Sequence, residues 1–361
     1  MKYSIIIPVY NRPDEADELL SSLCRQSISD FEVVIVEDGS TLPCKEVADK
    51  YASQLNIHYL VKKNGGPGPA RNFGVDNASG DYVIILDSDC VLPDGYLAAI
   101  DSELTQSPCI AFGGPDAAHE SFTPIQKAIS YSMTSFFTTG GIRGGKKKGA
   151  MDRFFPRSFN MGIKRSVYEA LGGFSKMRFG EDIDFSYRII EAGHSSRLFP
   201  EAWVWHKRRT DFRKFFKQVF NSGIARINLE KRHPGTMKLV HMLPMVFTVG
   251  VLALVLLFLC GLSMMILAPQ FANMGMTGEV GMTQGVGLVI CILSLLPLLL
   301  YSTLLLVDSS IKNRSLHVGF LSIPAAFVQL MGYGFGFLKA WWLRCVLGKS
   351  EFAAFEKNFY D

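Results

Sequence analysis

Charge is what the last third of this chain lacks. From Leu239 onward Lys, Arg, Asp and Glu are sparse and long apolar runs dominate, whereas residues 1–238 have the mixed, charged character of a globular protein. The two parts answer to different solvents. Paired cysteines are also missing. Cys24, Cys44, Cys90, Cys109, Cys260, Cys291 and Cys345 are odd in number, and no two stand at a C-x-x-C or other metal-type spacing. That argues against a disulfide framework and for a reducing compartment. The net charge of +4 is too mild to point to nucleic acid. No apolar run long enough for a signal peptide follows Met1, so the globular part is expected to stay in the cytoplasm.

What the first part does have is alternation. β-Branched runs at 3–9, 31–36, 57–61 and 82–86 read as buried strands, with amphipathic helical stretches between them. This order implies a parallel sheet covered on both faces, and ligands in such sheets sit at the carboxyl ends of the strands. Asp38, the glycine-rich turn 65–71 and the pair Asp87/Asp89 all fall at those ends. If the chain stays extended past Leu86, residues i and i+2 share a side. Asp87 and Asp89 would then converge and suit a hard cation such as Mg²⁺ or Mn²⁺. Alone, the pair is equally two loop aspartates closing a strand. A second D-x-D stands at Asp182-Ile183-Asp184, where acidic residues opening a helix also cap its free N–H groups.

These residue types fit the chemistry of glycosyl transfer. A cation at Asp87 or Asp89, with the planar fork of Arg71 nearby, would stabilise charge developing on a leaving nucleotide diphosphate. Asp38 could accept from a nucleobase ring N–H, or serve only as an Asp-Gly turn residue. Asp182, arriving from a later segment, could take the proton of an acceptor hydroxyl.

Between 113 and 157 the pattern loosens, and residues 138–149, with Lys146-Lys147-Lys148, read as a loop. Over 211–232, Phe212, Phe215, Phe216, Val219, Phe220, Ile224 and Ile227 fall on one helical stripe and Arg213, Lys214, Lys217 and Arg226 largely elsewhere. Residues 208–238 are therefore expected to carry a basic amphipathic helix at a membrane interface. Three apolar spans follow, at 242–268, 286–307 and 317–338. The loop 269–285 has no Lys or Arg and belongs outside; Lys312 and Arg314 mark an inner loop. A third crossing would put Lys339, Arg344 and Lys349 outside, against the same rule. Either the last span is re-entrant or interfacial, or the tail breaks the rule.

Taken together, the motifs resemble the family 2 glycosyltransferases of the GT-A fold. They are Ile5-Ile6-Ile7-Pro8-Val9-Tyr10-Asn11, Val36-Glu37-Asp38-Gly39-Ser40, Gly68-Pro69-Ala70-Arg71-Asn72-Phe73-Gly74, Leu86-Asp87-Ser88-Asp89 and Gly180-Glu181-Asp182-Ile183-Asp184, with Asn160-Met161 and Gly172-Gly173-Phe174 ahead of the last. Order and spacing agree over residues 1–217. The resemblance implies an α/β, Rossmann-like GT-A catalytic domain with a mostly parallel sheet over 1–207, then an all-α transmembrane region over 239–361. It implies that Pro8, Tyr10 and Asp38 line the base and ribose pocket and that Arg71 reaches the diphosphate. Asp87 and Asp89 would form the metal motif, Asp89 as the direct ligand. His206 would be a further ligand and Asp182 the general base. Polymer-extruding relatives carry Q-x-x-R-W; here Gln218 is followed by Val219-Phe220-Asn221, which favours single-sugar transfer.

The expected protein is an inverting, Mn²⁺- or Mg²⁺-dependent transferase in the cytoplasmic membrane, its catalytic domain inside. It would move a sugar from a nucleotide-diphosphate donor, uridine favoured, to a lipid-linked or cell-envelope glycan acceptor. A polyprenyl-phosphate sugar synthase is the alternative within the enzyme class. A membrane transporter or scaffold with a degenerate nucleotide-binding head is the alternative outside it, and the intact set Asp38, Arg71, Asp87, Asp89 and Asp182 speaks against it.

Overall fold

The computed structural model describes residues 1–117, 122–140, 154–177, 179–272 and 277–351. Lys146, Lys147 and Lys148 lie outside the described residues. The chain begins with β1 (Tyr3–Val9), α1 (Pro13–Leu23), β2 (Phe31–Asp38), α2 (Lys45–Tyr51), β3 (Ile57–Lys62), α3 (Pro67–Asp76) and β4 (Tyr82–Leu86). Next come β5 (Cys90–Val91), α4 (Tyr96–Gln106), β6 (Ala111–Gly113), β7 (Asp116–Ala117), α5 (Pro124–Thr134) and α6 (Phe136–Thr139). The domain closes with β8 (Asn160–Lys164), α7 (Arg165–Ala170), α8 (Glu181–Glu191), β9 (Ser196–Leu198) and β10 (Val204–His206). The long helices α9 (Phe212–Arg232), α10 (Leu239–Ala272), α11 (Thr277–Asn313) and α12 (Leu316–Trp341) follow.

The main sheet has the order β3-β2-β1-β4-β8-β6-β9. Strands β1 to β4 are parallel, while β8 runs antiparallel to both β4 and β6. The expected mostly parallel sheet is therefore present, with one reversed strand. Period-two alternation divides β1 between two cores. Ile5 and Ile7 pack with Leu19, Leu20 and Phe112 on one face; Ile6 packs with Val34, Ala70, Phe185 and Ile189 on the other. A small second sheet, β5-β10-β7, sits beside the end of β4.

Two features depart from the sequence reading. Residues 124–134, read as loosened chain, form α5, started by a capping box between Thr123 and Gln126. Ile125, Ile129 and Met133 of α5 then pack against Phe215 and Val219 of α9. The apolar stripe of α9, expected to rest on lipid, packs largely on protein: Phe215, Val219, Ile224 and Ile227 are buried against α5 and α12.

Helices α10, α11 and α12 are each long and apolar enough to cross a membrane, with candidate stretches Leu239–Pro269, Val280–Asn313 and Leu316–Val346. Among them α12 packs closely on α9, because glycine lets the two backbones touch. A Cβ on Gly223 would stand 2.1 Å from the Tyr333 carbonyl oxygen, and one on Gly336 would stand 1.9 Å from that of Phe220. Both obstacles are backbone, so neither can swing aside. We expect Gly336→Val to force α9 and α12 apart and to cost at least the ~1–3 kcal/mol typical of overpacking. The check is thermal unfolding of the full chain in detergent, with a lowered Tm; an unchanged Tm would contradict the close packing.

Candidate functional site

The carboxyl edge of the sheet collects the charged groups. Asp38, the last residue of β2, is buried. Its Oδ1 accepts from Gly65 N at 3.0 Å and Lys62 Nζ at 2.6 Å, and its Oδ2 accepts from Gly66 N at 2.8 Å. It thus pins the glycine-rich turn that opens α3. Asn11, with φ of +53°, stitches the loop after β1 to the loop after β2: its Oδ1 accepts from Thr41 N at 2.8 Å and Leu42 N at 2.9 Å. Pro8 and Tyr10 line the same cavity as Asp38.

The expectation that Asp87 and Asp89 converge by strand alternation is corrected by the backbone. Strand β4 stops at Leu86, and a turn closed by Cys90 N to Asp87 O at 3.1 Å follows. The two carboxylates consequently meet different partners. Asp87 Oδ1 accepts from Arg71 Nη2 at 2.7 Å, and Arg71 Nη1 reaches Glu181 Oε1 at 3.0 Å. The guanidinium also lies 5.3 Å from the centre of the Phe174 ring. Asp89 Oδ2 accepts from Arg12 Nη1 at 2.8 Å, and His206 Nε2 lies 3.2 Å from its Oδ1. His206 is brought there by the pairing of β10 with β5, which sets it opposite Cys90, and its ring stacks on Phe159 with centroids 4.8 Å apart.

Burial opposes the charge on Asp89, but His206, then Arg12 and Arg209, outweigh it and hold the carboxyl far below the usual range. Burial likewise pulls the His206 pKa down, and the Asp89 charge more than restores it. The ligand atoms of Asp89, Cys90 and His206 lie within 4.8 Å of one another. Cys90 remains a thiol, because burial pushes its pKa well up, and it donates to the Phe159 carbonyl. Asp87 does not belong to this group. A carboxylate and an imidazole remain as donors. Asp89 Oδ1 and His206 Nδ1 are both buried without a hydrogen bond that satisfies them. That donor set fits Mn²⁺ or Mg²⁺ completed by phosphate and water oxygens.

Across the cavity, α8 opens with two carboxylates whose pKa values move in opposite directions. Asp182 Oδ2 accepts from Arg157 Nε at 2.6 Å and its Oδ1 from Ile183 N at 2.9 Å. Burial would raise its pKa, but Arg157 and then Arg71 lower it, so Asp182 is ionised. Glu181 moves the other way: burial raises it, Arg71 only partly offsets that, and the neighbouring Asp182 charge adds to the rise. On a helix, i and i+2 face apart. Asp184 therefore leaves the site and binds Ser175 Oγ at 2.8 Å, Arg188 Nε at 3.0 Å and His233 Nε2 at 3.1 Å.

Pro8, Tyr10, Asp38, Arg71, Asp87, Asp89 and Asp182 all line one cavity of about 1400 Å³, while His206 stands behind Asp89. Sequence reasoning passed over Arg12, Arg157 and Glu181. Arg12 stands two residues beyond Tyr10, and Glu181 was quoted only as part of its motif. Arg157 carried no signal.

Residues 4–172 match the family described as Glycosyl transferase family 2. Over 235 residues, 64% of this chain and 48% of the relative, the sequence is 29% identical to the Pre-mycofactocin glycosyltransferase of Mycobacterium tuberculosis. Over 88 residues, 24% of this chain and 15% of the relative, it is 46% identical to an uncharacterized glycosyltransferase of Rickettsia felis. The chain thus spans less than half the length of these relatives. Among solved structures, the mannosyltransferase PcManGT from Pyrobaculum calidifontis, in complex with GDP-Man and Mn²⁺, aligns with 95% of this chain and 88% of its own. The TM-score is 0.54 at 15% identity, a likeness of fold.

Arg71 is the hub of the acidic edge, and its removal tests this arrangement. Arg71→Met keeps the bulk but leaves Asp87 and Glu181 without their cation. We expect a loss of about 3 kcal/mol, the scale of a broken buried ion pair, read as a lower Tm in detergent. The double change Arg71→Met with Glu181→Gln should recover part of it; no recovery would show that the charge on Glu181 is not what Arg71 balances.

Proposed function

We propose, from the match of residues 4–172 to Glycosyl transferase family 2, an inverting, metal-dependent transfer of a sugar from a nucleotide-diphosphate donor to a lipid-linked or envelope-glycan acceptor at a membrane. The observation that carries the proposal is a single cavity. It runs from the Asp89 and Arg71 end of the sheet, past Asp182, to the apolar helices α10, α11 and α12. Donor chemistry and a membrane-borne acceptor can meet in it.

Pro8, Tyr10 and Asp38 border the base and ribose, and Arg71 with Asp87 borders the diphosphate. Asp89 and His206 would hold the cation. When bound, Mn²⁺ or Mg²⁺ supplies charge against the diphosphate leaving group. Arg12 stands ready to turn from Asp89 to a phosphate oxygen. Asp182 is ionised, the form that can accept a proton from an acceptor hydroxyl. Its partner Arg157 keeps it weakly basic, so its full basicity requires Arg157 to turn away as the acceptor enters. PcManGT carries GDP-Man, while the sequence favoured uridine, so the donor base is a matter for direct assay.

Three measurements test this reading. UDP- and GDP-sugars are screened for Mn²⁺-dependent thermal stabilisation of the full chain, since a ligand at one hundred times its Kd adds about 2.7 kcal/mol. Asp89→Asn should abolish the metal dependence, and a chain that binds no nucleotide sugar with or without metal sinks the proposal. Asp182→Asn should cut transfer by roughly a hundredfold or more while keeping donor stabilisation; full activity would instead point to an acceptor that needs no base, such as a polyprenyl phosphate. Removing the cation in Arg157→Gln raises the Asp182 pKa, so the acid limb of the pH–rate profile should move to higher pH. An acid limb that stays in place would exclude Asp182 as its source.

A further inference from the structure

The cavity divides by charge. Its sheet end holds Asp38, Asp87, Asp89, Glu181 and Asp182, with Arg12, Arg71 and Arg157 paired to four of them, whereas the described lining residues supplied by α9 to α12 include no carboxylate. What α9 offers instead is a stripe at helical spacing: Lys214, Lys217, Gln218, Asn221, Ser222 and Arg226. Arg226 is more than nine-tenths buried, and its Nε has no hydrogen-bond partner. Its other nitrogens reach Thr236, Tyr187 and, at 3.6 Å, Glu230. On α12, the lining residue Gln329 likewise has a buried Oε1 without a partner. Below this stripe the lining turns apolar, with Val240, Leu243, Phe247, Tyr301, Leu330 and Tyr333. Leu243 and Val246 of α10, both on the lining, are more than half exposed. The cavity is therefore open beside α10, one of the helices apolar enough to cross a membrane.

We propose that the α9 stripe seats the phosphate headgroup of a lipid acceptor whose hydrocarbon chain lies in the slot between α9, α10 and α12. The charge matches an anionic headgroup, and the slot matches a chain entering from the bilayer. The seat adjoins the chemistry: a Cβ on Gly180, the residue before Glu181 and Asp182, would touch Ala225 at 3.2 Å, one residue from Arg226. This proposal deepens the transferase reading and rests on it.

The test uses the full chain in phosphatidylcholine nanodiscs, with radiolabelled polyprenyl phosphate as probe and polyprenyl alcohol and inorganic phosphate as competitors. Polyprenyl phosphate should bind at least tenfold more tightly than either competitor. Lys217→Glu and Arg226→Gln should each weaken it tenfold or more. Arg226 is buried and its loss can disturb α9, so Lys217→Glu, at an exposed position, decides the matter. Donor stabilisation should persist in it. Equal binding of the alcohol, or unchanged binding in Lys217→Glu, overturns the seat, and competition by inorganic phosphate at equal strength reduces it to an anion site without the lipid. Lipid binding without any donor stabilisation supports the seat and removes the transferase reading; donor stabilisation without lipid binding removes the seat alone.

A separate set of contacts bears on the last apolar helix. Near its start, Val318 and Ala325 of α12 pack on Ala128 of α5, beside Phe212. Near its end, Phe337 and Ala340 pack on Ile224 and Ile227 of α9. Beyond it, Lys231 Nζ donates to the Arg344 carbonyl at 2.6 Å, and Arg232 Nη2 donates to Glu351 at 2.9 Å. Helix α9 is itself fastened to the catalytic domain through His233 on Asp184. Both ends of α12 thus rest on one domain. Its candidate stretch has a mean hydropathy of 1.4 and is 44% buried in its apolar window, against 2.8 and 2.5 and 17% each for α10 and α11.

We infer that α10 and α11 cross the membrane as a hairpin while α12 lies along the interface, leaving residues 342–351 on the side of the catalytic domain. Lys339, Arg344 and Lys349 then keep the company of the other basic residues. Cys345 is exposed and reports the side. In a Cys24→Ser/Cys260→Ser background, a membrane-impermeant maleimide should label Cys345 in inverted vesicles as it labels a reference Glu46→Cys on the catalytic domain. Labelling of Cys345 from the opposite side to that reference would overturn the inference.

Discussion

The carboxylates that line the cavity at the carboxyl edge of this sheet, Asp38, Asp87, Asp89, Glu181 and Asp182, are buried or half-buried, and each has a cation against it. Removing an ionised carboxylate from water costs several kcal/mol unless charge and hydrogen bonds compensate. Lys62 meets Asp38, Arg71 meets both Asp87 and Glu181, Arg12 and His206 meet Asp89, and Arg157 meets Asp182. These cations come from the loop after β1, the end of β3, helix α3, the approach to β8, and β10. The pairs therefore tie together loops that the sheet alone would leave independent. They also create a site whose acids already have partners. A ligand bringing phosphates and a cation exchanges partners there and need not create charge.

The same constraint separates two adjacent carboxylates. Glu181 and Asp182 open one helix, yet burial dominates the first and Arg157 the second, so their pKa values part. Opposed shifts in neighbouring acids are a mark of sites that assign proton roles. The member with the lowered pKa faces Arg157, a residue just before β8. Arg157 thus covers one oxygen of Asp182, while Asp184 ties α8 separately to Ser175, Arg188 and His233.

Most of the sheet was legible because its information is local. The β-branched run of β1 and the alternating Ile5, Ile6 and Ile7 say both that a strand forms and that its two faces are covered. The residues at the strand ends were legible for the same reason. Their mutual arrangement was not. Alternation put Asp87 and Asp89 on one side, but a turn closing at Cys90 sends one to Arg71 and the other to His206. Arg12, Arg157 and Glu181 were missed because their partners lie 77, 25 and 110 residues away in sequence. Helix α5 did carry a local signal, the capping box at Thr123 and Gln126, hidden inside a region rich in glycine and polar residues. The phenylalanine stripe of α9 was visible as amphipathicity, but a stripe does not say whether lipid or another helix covers it. Gly223, Gly332 and Gly336 could have tipped the balance, since small residues on facing helices favour close protein contact.

Helix α9 joins these two kinds of information. One face gives Phe215, Val219, Ile224 and Ile227 to α5 and α12. Another gives Lys217, Asn221 and Arg226 to the cavity. Its C-terminal end is locked by His233 to Asp184, on the same helix that carries Asp182. Movement of α9 against the apolar helices would therefore be felt at α8 through a short chain of buried contacts. Two anions brought into one cavity repel each other, and at close range in a poorly polarisable interior that repulsion is large. On the proposed reading, the division of the lining into an acidic end and a basic end would lower that repulsion in two different ways. The diphosphate of a donor would be neutralised by a cation at Asp89, and an acceptor's charge by side chains of α9. Metal loading and acceptor binding would then depend on separate residues, and only the sugar would have to pass between the two ends.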